Sequence, residues 1–191
     1  GSFYVYKQVY NEQGLPIDNM FEDLNRDGVI TEKDLYRYKS ANPDMFYGFN
    51  ANVTYKRWNA GFIARASFGN YMYNNVESAT GTYRNIFNPI GVLNNGSTNV
   101  LVTNFSGDGD RYYSSDYYVQ NASYFRMDNI NVGYNFGKVF NNKADMRFSF
   151  IVQNAFTITD YTGADAANPS GIDNNFYAPP TTFVGSLNFN F

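Results

Sequence analysis

The sequence contains neither cysteine nor histidine. Without cysteine there is no disulfide framework and no thiolate metal site. Without histidine the commonest general base, the Ser/His/Asp triad and most zinc sites are excluded. Charge is scarce as well. Asp, Glu, Lys and Arg make up 16% of the 191 residues, under the usual quarter, and the net charge of −3 offers no basic patch to a phosphate backbone, so no nucleic-acid partner is expected. A phosphate-cradling glycine loop and a nucleophile elbow are missing, and nothing points to a glycosidase pair of carboxylates. These absences predict a protein that is not an enzyme. No apolar run approaches the roughly 18 residues of a spanning helix, and the opening GSFYVYKQVY lacks the basic and apolar regions of a signal peptide. That excludes a helical membrane protein and leaves a β-barrel open.

What the sequence has is aromatic side chains, 19% of residues and nearly all Tyr and Phe, set in alternating runs. Trp58, Ala60, Phe62, Ala64, Ala66 and Phe68 fall on one parity, and Asn59, Gly61, Arg65, Ser67 and Gly69 on the other, with Ile63 as an exception. This is the period of a strand with one apolar face. Phe49, Ala51, Val53 and Tyr55 repeat it upstream, and Lys56-Arg57 between the two runs is long enough only for a tight hairpin turn. Ile130, Val132, Tyr134 and Phe136 repeat it again, as do Met146, Phe148, Phe150 and Val152, and Phe183, Leu187, Phe189 and Phe191. The pattern predicts strands at about 47–56, 58–69, 124–136, 145–156 and 181–191. Each has about the 9 to 11 residues that a tilted strand needs to cross a bilayer.

Aromatics gather near the strand ends, at Tyr55 and Trp58, Phe68 and Tyr71, Tyr124 and Phe125, and Phe189 and Phe191, where a transmembrane barrel carries its girdles. Short connections at 56–57 and 137–144 fall on one side, and long polar ones at 10–46, 70–121 and 157–180 on the other, as periplasmic turns and extracellular loops do. Arg65 and Arg147 have lumen parity, free to line the channel or touch a plug. A soluble β-sandwich also alternates, and a calcium-dependent carbohydrate-binding or adhesion module of that fold is the competing reading. Five strands cannot close a barrel, which takes about 8 or more. Phe3, Val5 and Val9 suggest the outer end of one more strand. The expectation is therefore the C-terminal portion of a longer all-β chain, and the ending GSLNFNF resembles the terminal strand that barrel-assembly machinery recognises.

One stretch, FEDLNRDGVITEKD, has another character. Asp23, Asn25 and Asp27 occupy positions 1, 3 and 5 of a twelve-residue EF-type loop, Gly28 position 6, Val29 (through its carbonyl) 7, Thr31 9 and Asp34 12. The register predicts a calcium loop over 23–34, with magnesium as the alternative because Asp at position 12 is shorter than the usual Glu. Gly14 and Pro16 argue against an entering helix, so the loop looks closer to that of dockerin modules than to a paired EF-hand. A solvated Asx-rich turn without metal is the plain alternative.

Taken in order, FYVYKQV, DLNRDGVITEKD, PDMFYGFNANVTYKRW, ASFGNYMYN, DYYVQNASYFRMDNINVGYNF, VQNAF and GIDNNFY resemble the C-terminal region of the SusC/RagA-like TonB-dependent transporters of Bacteroidetes, over essentially the whole chain. The resemblance implies an outer-membrane location and a 22-stranded antiparallel barrel with long extracellular loops. It implies an N-terminal plug, absent from this chain, through which TonB-ExbB-ExbD acts, and a SusD-like surface lipoprotein as lid. The implied cargo is oligosaccharide, or peptide in some members. In the outer loops, Tyr112, Tyr113, Tyr117 and Tyr118 lie close to Asp108, Asp110 and Arg111, and aromatic faces beside hydrogen-bonding groups suit sugar stacking. Asn174, Asn175 and Tyr177 form a second candidate substrate contact. Packing of the loops is the alternative role for both groups.

Overall fold

The structure, a computed structural model, describes residues 1–87, 90, 93–109, 111–174 and 177–191. In chain order the strands are β1 (Ser2–Val5), β2 (Gln8–Tyr10), β3 (Pro16–Phe21), β4 (Tyr36–Ser40), β5 (Met45–Tyr55), β6 (Trp58–Phe68), β7 (Tyr71–Asn74), β8 (Val119–Asn121), β9 (Tyr124–Val139), β10 (Ala144–Thr159), β11 (Ile172–Asp173) and β12 (Thr182–Asn190). Three short helices, α1 (Asn75–Thr80), α2 (Tyr83–Ile86) and α3 (Val100–Thr103), lie between β7 and β8. Among the described residues no helix is long and apolar enough to cross a membrane.

The chain divides into two compact units. One, made of Asp44–Phe68, Ser123–Asp160 and Ala178–Phe191, is a five-stranded antiparallel sheet of order β12-β10-β9-β6-β5. Its strands are those the alternation predicted. Register carries the apolar parity across the sheet: Phe62 pairs with Ala51 on one side and Ile130 on the other, and Phe150 with Val132 and Gly185. The opposite parity is polar, with Asn52 against Gly61, Gly61 against Asn131, and Arg147 donating to Asn59 Oδ1 at 3.1 Å. Apolar side chains stay exposed on their face, Phe62 at 39% and Trp58 at 54%, so this side is not the core of a sandwich.

β6 has 11 residues, about 35 Å at ~3.3 Å per residue. A tilt of about 45° brings that to the ~25 Å of an outer-membrane apolar band. Aromatics mark both limits. Tyr47, Phe49, Phe125 and Phe156 run in a row at one end, with neighbouring centroids 6.3 to 6.5 Å apart, and Trp58, Tyr134 and Phe136 meet at the other in tilted and edge-to-face contacts, 4.7 and 4.8 Å apart. Lys56, at φ +53, turns β5 into β6, and Phe140, Asn141 and Asn142, all at positive φ, turn β9 into β10. Both long connections, 69–123 and 160–181, leave from the opposite end of the sheet.

β9 and β10 share an irregularity that parity alone does not reveal. Ile63 pairs with Asn129 but Ala64 with Met127, which leaves Asp128 as an extra residue, and across β10 the pairing steps from Gln153 to Phe156. The bulge returns Met127 and Phe125 to the apolar face and brings the Asp128 carboxylate 3.2 Å from Arg65 Nε on the polar one.

The other unit, Gly1–Pro43, Gly69–Ala122 and Tyr161–Tyr177, holds the segments expected as long loops, and they are more ordered than expected. β1 pairs with β4, β2 with β3, and β7 lies between β8 and β11. Phe3 and Val5 pair with Tyr38 and Tyr36 in this unit, and not with a strand of the large sheet. Its strands have two to six residues and little alternation, too short for a periodic signal. Their core is Tyr6, Phe21, Met72, Phe105 and Tyr118, all buried.

A Cβ added to Gly61 would lie 2.6 Å from Asn52 Oδ1 and 2.9 Å from the Ala51 carbonyl, whereas one on Gly185 meets nothing within 4 Å. Gly61→Ala should cost about 1 to 3 kcal/mol by overpacking and Gly185→Ala close to none, read from urea unfolding of the detergent-solubilised protein. Equal midpoints for the two would contradict the β5–β6 register.

Candidate functional site

Outside the large sheet, the unit is organised by polar nodes. Gln8 is buried. Its Nε2 donates to the carbonyls of Ile17 (2.6 Å) and Met20 (3.1 Å), its Oε1 accepts from Ser115 Oγ (2.9 Å), and its amide donates to Asp116 Oδ1 (3.0 Å). The other Asp116 oxygen accepts from Tyr36 Oη at 2.6 Å. Burial first, and then this bond to a carboxylate, push the Tyr36 phenol up. A few side chains thus tie β2, β3 and β4 to the 115–116 turn, doing for short strands what long ladders do elsewhere.

The 23–34 loop runs from β3 to β4 and contains one 3-10 turn, Glu32–Asp34. Arg26 and Gly28 adopt positive φ, as a sharp turn at these positions needs. Its Asp and Asn side-chain oxygens accept from the loop's own amides: Asp23 from Arg26 and Gly28 (both 2.7 Å), Asn25 Oδ1 from Asp27 (2.9 Å), and Asp27 from Val29 (3.0 Å). Asp34 is fully buried and receives Thr31 (2.8 Å), Leu24 (3.0 Å) and Asn25 (3.3 Å). The Thr31 amide, with smaller contributions from Asn25 and Leu24, holds the Asp34 carboxyl below its usual range against the opposing effect of burial. The six residues of the predicted ligand register therefore share one turn. Among the described residues no group of three or more acidic side chains is placed to hold a metal ion.

The aromatic candidates separate by burial. Tyr112 and Tyr118 are 4% and 1% exposed and face the interior, so they take the packing role and not that of a ligand platform. Burial pushes both phenols up. Tyr117 is half-buried, its hydroxyl and the Asn99 amide exchanging hydrogen bonds of 2.9 and 3.1 Å. Tyr113 and Asp108 are exposed, and Tyr177 is fully so. Asn174 accepts from Asn75 Nδ2 at 2.8 Å. Asp110 and Asn175 lie outside the described residues.

A pocket that these candidates do not line sits in the same unit. It is a cleft of about 610 Å³ walled by α1, the 97–99 turn and residues 162–164. Asn74 caps α1 by accepting from the Glu77 amide (3.0 Å), and its Nδ2 donates to Glu77 Oε2 (3.3 Å). Gln120 Nε2 donates to the same oxygen at 3.0 Å, while Gln120 Oε1 accepts from Thr162 Oγ1 at 2.8 Å. Burial raises the Glu77 carboxyl above its usual range, opposed by hydrogen bonds from Gln120 and Asn99. The sequence reading passed over this site. Its legible signal is the Asn74–Glu77 spacing, that of a capping box.

No family model matches the chain. Two curated relatives match all of it: the TonB-dependent receptor SusC of Bacteroides thetaiotaomicron, 38% identical over 200 residues, and the TonB-dependent receptor P3 of Formosa agariphila, 28% over 222. The chain spans 19% and 22% of their lengths, about a fifth. Among solved structures, the RagAB peptide importer in its closed-closed state superposes on 97% of the chain with a TM-score of 0.71 at 17% identity, and in its open-open state on 100% with 0.70 at 15%. Each covers 22% of the matched chain, and at these identities the likeness is one of fold.

Asp34→Ala would strip the Leu24, Asn25 and Thr31 amides of their acceptor. Hydrogen exchange over 22–35 should accelerate while the large sheet keeps its protection. Because the folded-state pKa of Asp34 is depressed, the stability it adds is present above the unfolded carboxylate pKa and fades as pH falls through the lower, folded value. Wild-type protection of the loop should drop over that acid range, and the variant's should not respond. Unchanged exchange in Asp34→Ala would show that the loop is held by other contacts.

Proposed function

The chain is a segment of a SusC/RagA-like TonB-dependent outer-membrane transporter, and on that footing we propose that its large sheet is a stretch of barrel wall and that the assembled protein imports oligosaccharides. The observation that carries this reading is the sheet itself. One face keeps its apolar side chains exposed between two aromatic rows, the other is polar, and a soluble sandwich would bury the first against a partner layer. Bare edges at β5 and β12 would be costly in hydrocarbon, so further strands of the same protein pair with them and close the barrel.

In this proposal outer-membrane lipids cover the apolar face. A plug outside these residues transmits work from TonB-ExbB-ExbD, and a SusD-like surface lipoprotein closes over the loop unit. This chain contributes wall, outer loops and contacts to cargo, with no chemical step. Oligosaccharide is favoured over peptide because the pocket beside α1 in the loop unit is lined by hydroxyl and amide groups with a single carboxylate and no cation. In the test, cells bearing the full-length transporter are given labelled neutral hexasaccharides and a labelled alanine pentapeptide. Uptake of a sugar but not the peptide is the expected result. Uptake of the peptide alone would move the reading to peptide import, and recovery of the protein without detergent would return it to a soluble module.

Calcium, or magnesium, at loop 23–34 is a further proposal that rests on the ligand register alone, since the side chains as placed satisfy the loop's own amides. Limited proteolysis should then show calcium protecting the segment at 20–36 and EDTA exposing it, with Asp27→Ala indifferent to both. Equal cleavage of wild type with and without calcium would remove the metal.

The wall makes a sharper prediction. Phe62→Arg or Phe150→Arg places a charge on the lipid face near mid-bilayer and should cost about 2 to 4 kcal/mol, whereas Asn131→Arg on the polar face should be mild. Folding into lipid vesicles measures all three, and equal tolerance would invert or abolish the assigned orientation.

A further inference from the structure

Cavities, titratable clusters and exposed patches elsewhere in the molecule fold back into features already described. The grooves of about 530 and 320 Å³ on the large sheet are lined by side chains such as Trp58, Phe148, Phe62 and Ile130 of the lipid-facing side. The cleft beside α1 differs, because several of its polar groups are fixed by internal hydrogen bonds before anything binds and keep donor or acceptor capacity beyond those bonds.

Three observations define what it can hold. The first is preorganisation. Asn74 and Gln120 fix the Glu77 carboxylate through bonds of 3.3 and 3.0 Å, Thr162 in turn holds Gln120 at 2.8 Å, and Tyr117 fixes the Asn99 amide. Groups locked in this way engage a ligand without an ordering cost. The second is charge. Glu77 is the sole ionisable residue in the lining. No lysine or arginine is present to neutralise a carboxylate or sulfate, and the desolvated Glu77 opposes any anion. The third is the alternation of functional groups. Ser97 and Asn99 offer both donor and acceptor atoms, and Thr80 and Thr162, whose hydroxyls donate to the Val76 carbonyl and to Gln120 Oε1, offer acceptor lone pairs, while Val76 and Val102 supply apolar surface between them. Donors and acceptors around a small apolar patch complement a pyranose ring, with hydroxyls at its rim and C–H groups on its face. The volume lies within the range of small-molecule sites, about 300 to 1,000 Å³.

We propose that this cleft is a binding subsite for an uncharged, hydroxyl-rich sugar unit, with Glu77 and Asn99 holding adjacent ring hydroxyls. The proposal rests on the import reading above and adds to it a place and a selectivity: neutral units bind, and uronic or sulfated ones do not. An oligopeptide is the weaker fit. The Glu77 anion, its oxygen already shared by two amide donors, is a poor partner for an ammonium group, and a peptide carboxylate finds no cation.

Calorimetric titration of the full-length transporter in detergent tests it, with maltohexaose, cellohexaose and a fructo-hexasaccharide as neutral probes, hexagalacturonate as the anionic one and the alanine pentapeptide as the competing class. One neutral probe should bind. Glu77→Gln and Asn99→Ala should each weaken it by about tenfold or more, as expected on losing a hydrogen bond to a charged group or from a fixed amide, while hexagalacturonate stays unbound. Hydrogen exchange over 75–80 checks that α1 persists, and Glu77→Gln, which keeps size and shape, guards against loss by misfolding. Wild-type affinity in both variants overturns the subsite while cellular sugar uptake stands. Binding of the pentapeptide or of hexagalacturonate, weakened by the same substitutions, overturns its selectivity. Failure of every neutral probe to bind or to enter cells overturns the import of neutral sugars and the subsite with it.

Discussion

A strand surrounded by hydrocarbon must pair every peptide group with another strand, because no water is there to substitute. The large sheet follows from that requirement. Its strands are long and antiparallel, joined by minimal turns at one end, and one parity is surrendered to apolar side chains. Gly61 leaves room for Asn52 on the polar parity, and Arg147 reaches Asn59 there, so the wet side carries the specific hydrogen bonds and the dry side carries bulk. In the loop unit water is available, and the rule relaxes. Strands shrink to a few residues and are secured by single side chains such as Gln8 and Asp116, which join segments more than a hundred positions apart.

This division explains what could be read from sequence. Alternation at Phe62, Ile130, Phe150 and Leu187 is imposed residue by residue by the two environments, and it located all five wall strands. Their limits were less visible. β9 and β10 run on to Val139 and Thr159, past the predicted 136 and 156, because outside the apolar band the pairing continues while nothing enforces the pattern. The bulge at Asp128 was hidden for a related reason: an extra residue resets parity, and only the partners Arg65 and Ala64 reveal the shift. β3 and β4 fall in a segment that reads as loop, and Phe3, Val5 and Val9 of β1 and β2 read as one more wall strand, since the contacts that stabilise these four strands are distant in sequence and chemically unremarkable as strings.

The site followed the same logic. Tyrosines that looked like a sugar platform proved divisible only by burial: Tyr118 belongs to the core, Tyr117 stands as a support for Asn99, and Tyr113 and Tyr177 remain at the surface. Asn74 and Glu77, which matter more to the cleft, are ordinary polar residues whose value comes from Gln120 and Thr162 being brought beside them. The EF-type register is the converse case, a clear string whose side chains, once folded, serve the turn that carries them.

The bulge between β9 and β10 also bears on how such a wall can change over generations. Loss of a residue from a regular part of β9, Gly133 for example, would turn one half of the strand over, apolar side chains toward water and polar ones toward lipid, whereas Asp128, as the extra residue, is a position where a change of length leaves Met127 and Phe125 on their face. The segments at 69–122 and 161–177 carry no such parity. Single-codon changes can therefore lengthen, shorten and reshape them without turning a face over, a freedom that the regular parts of the wall strands lack.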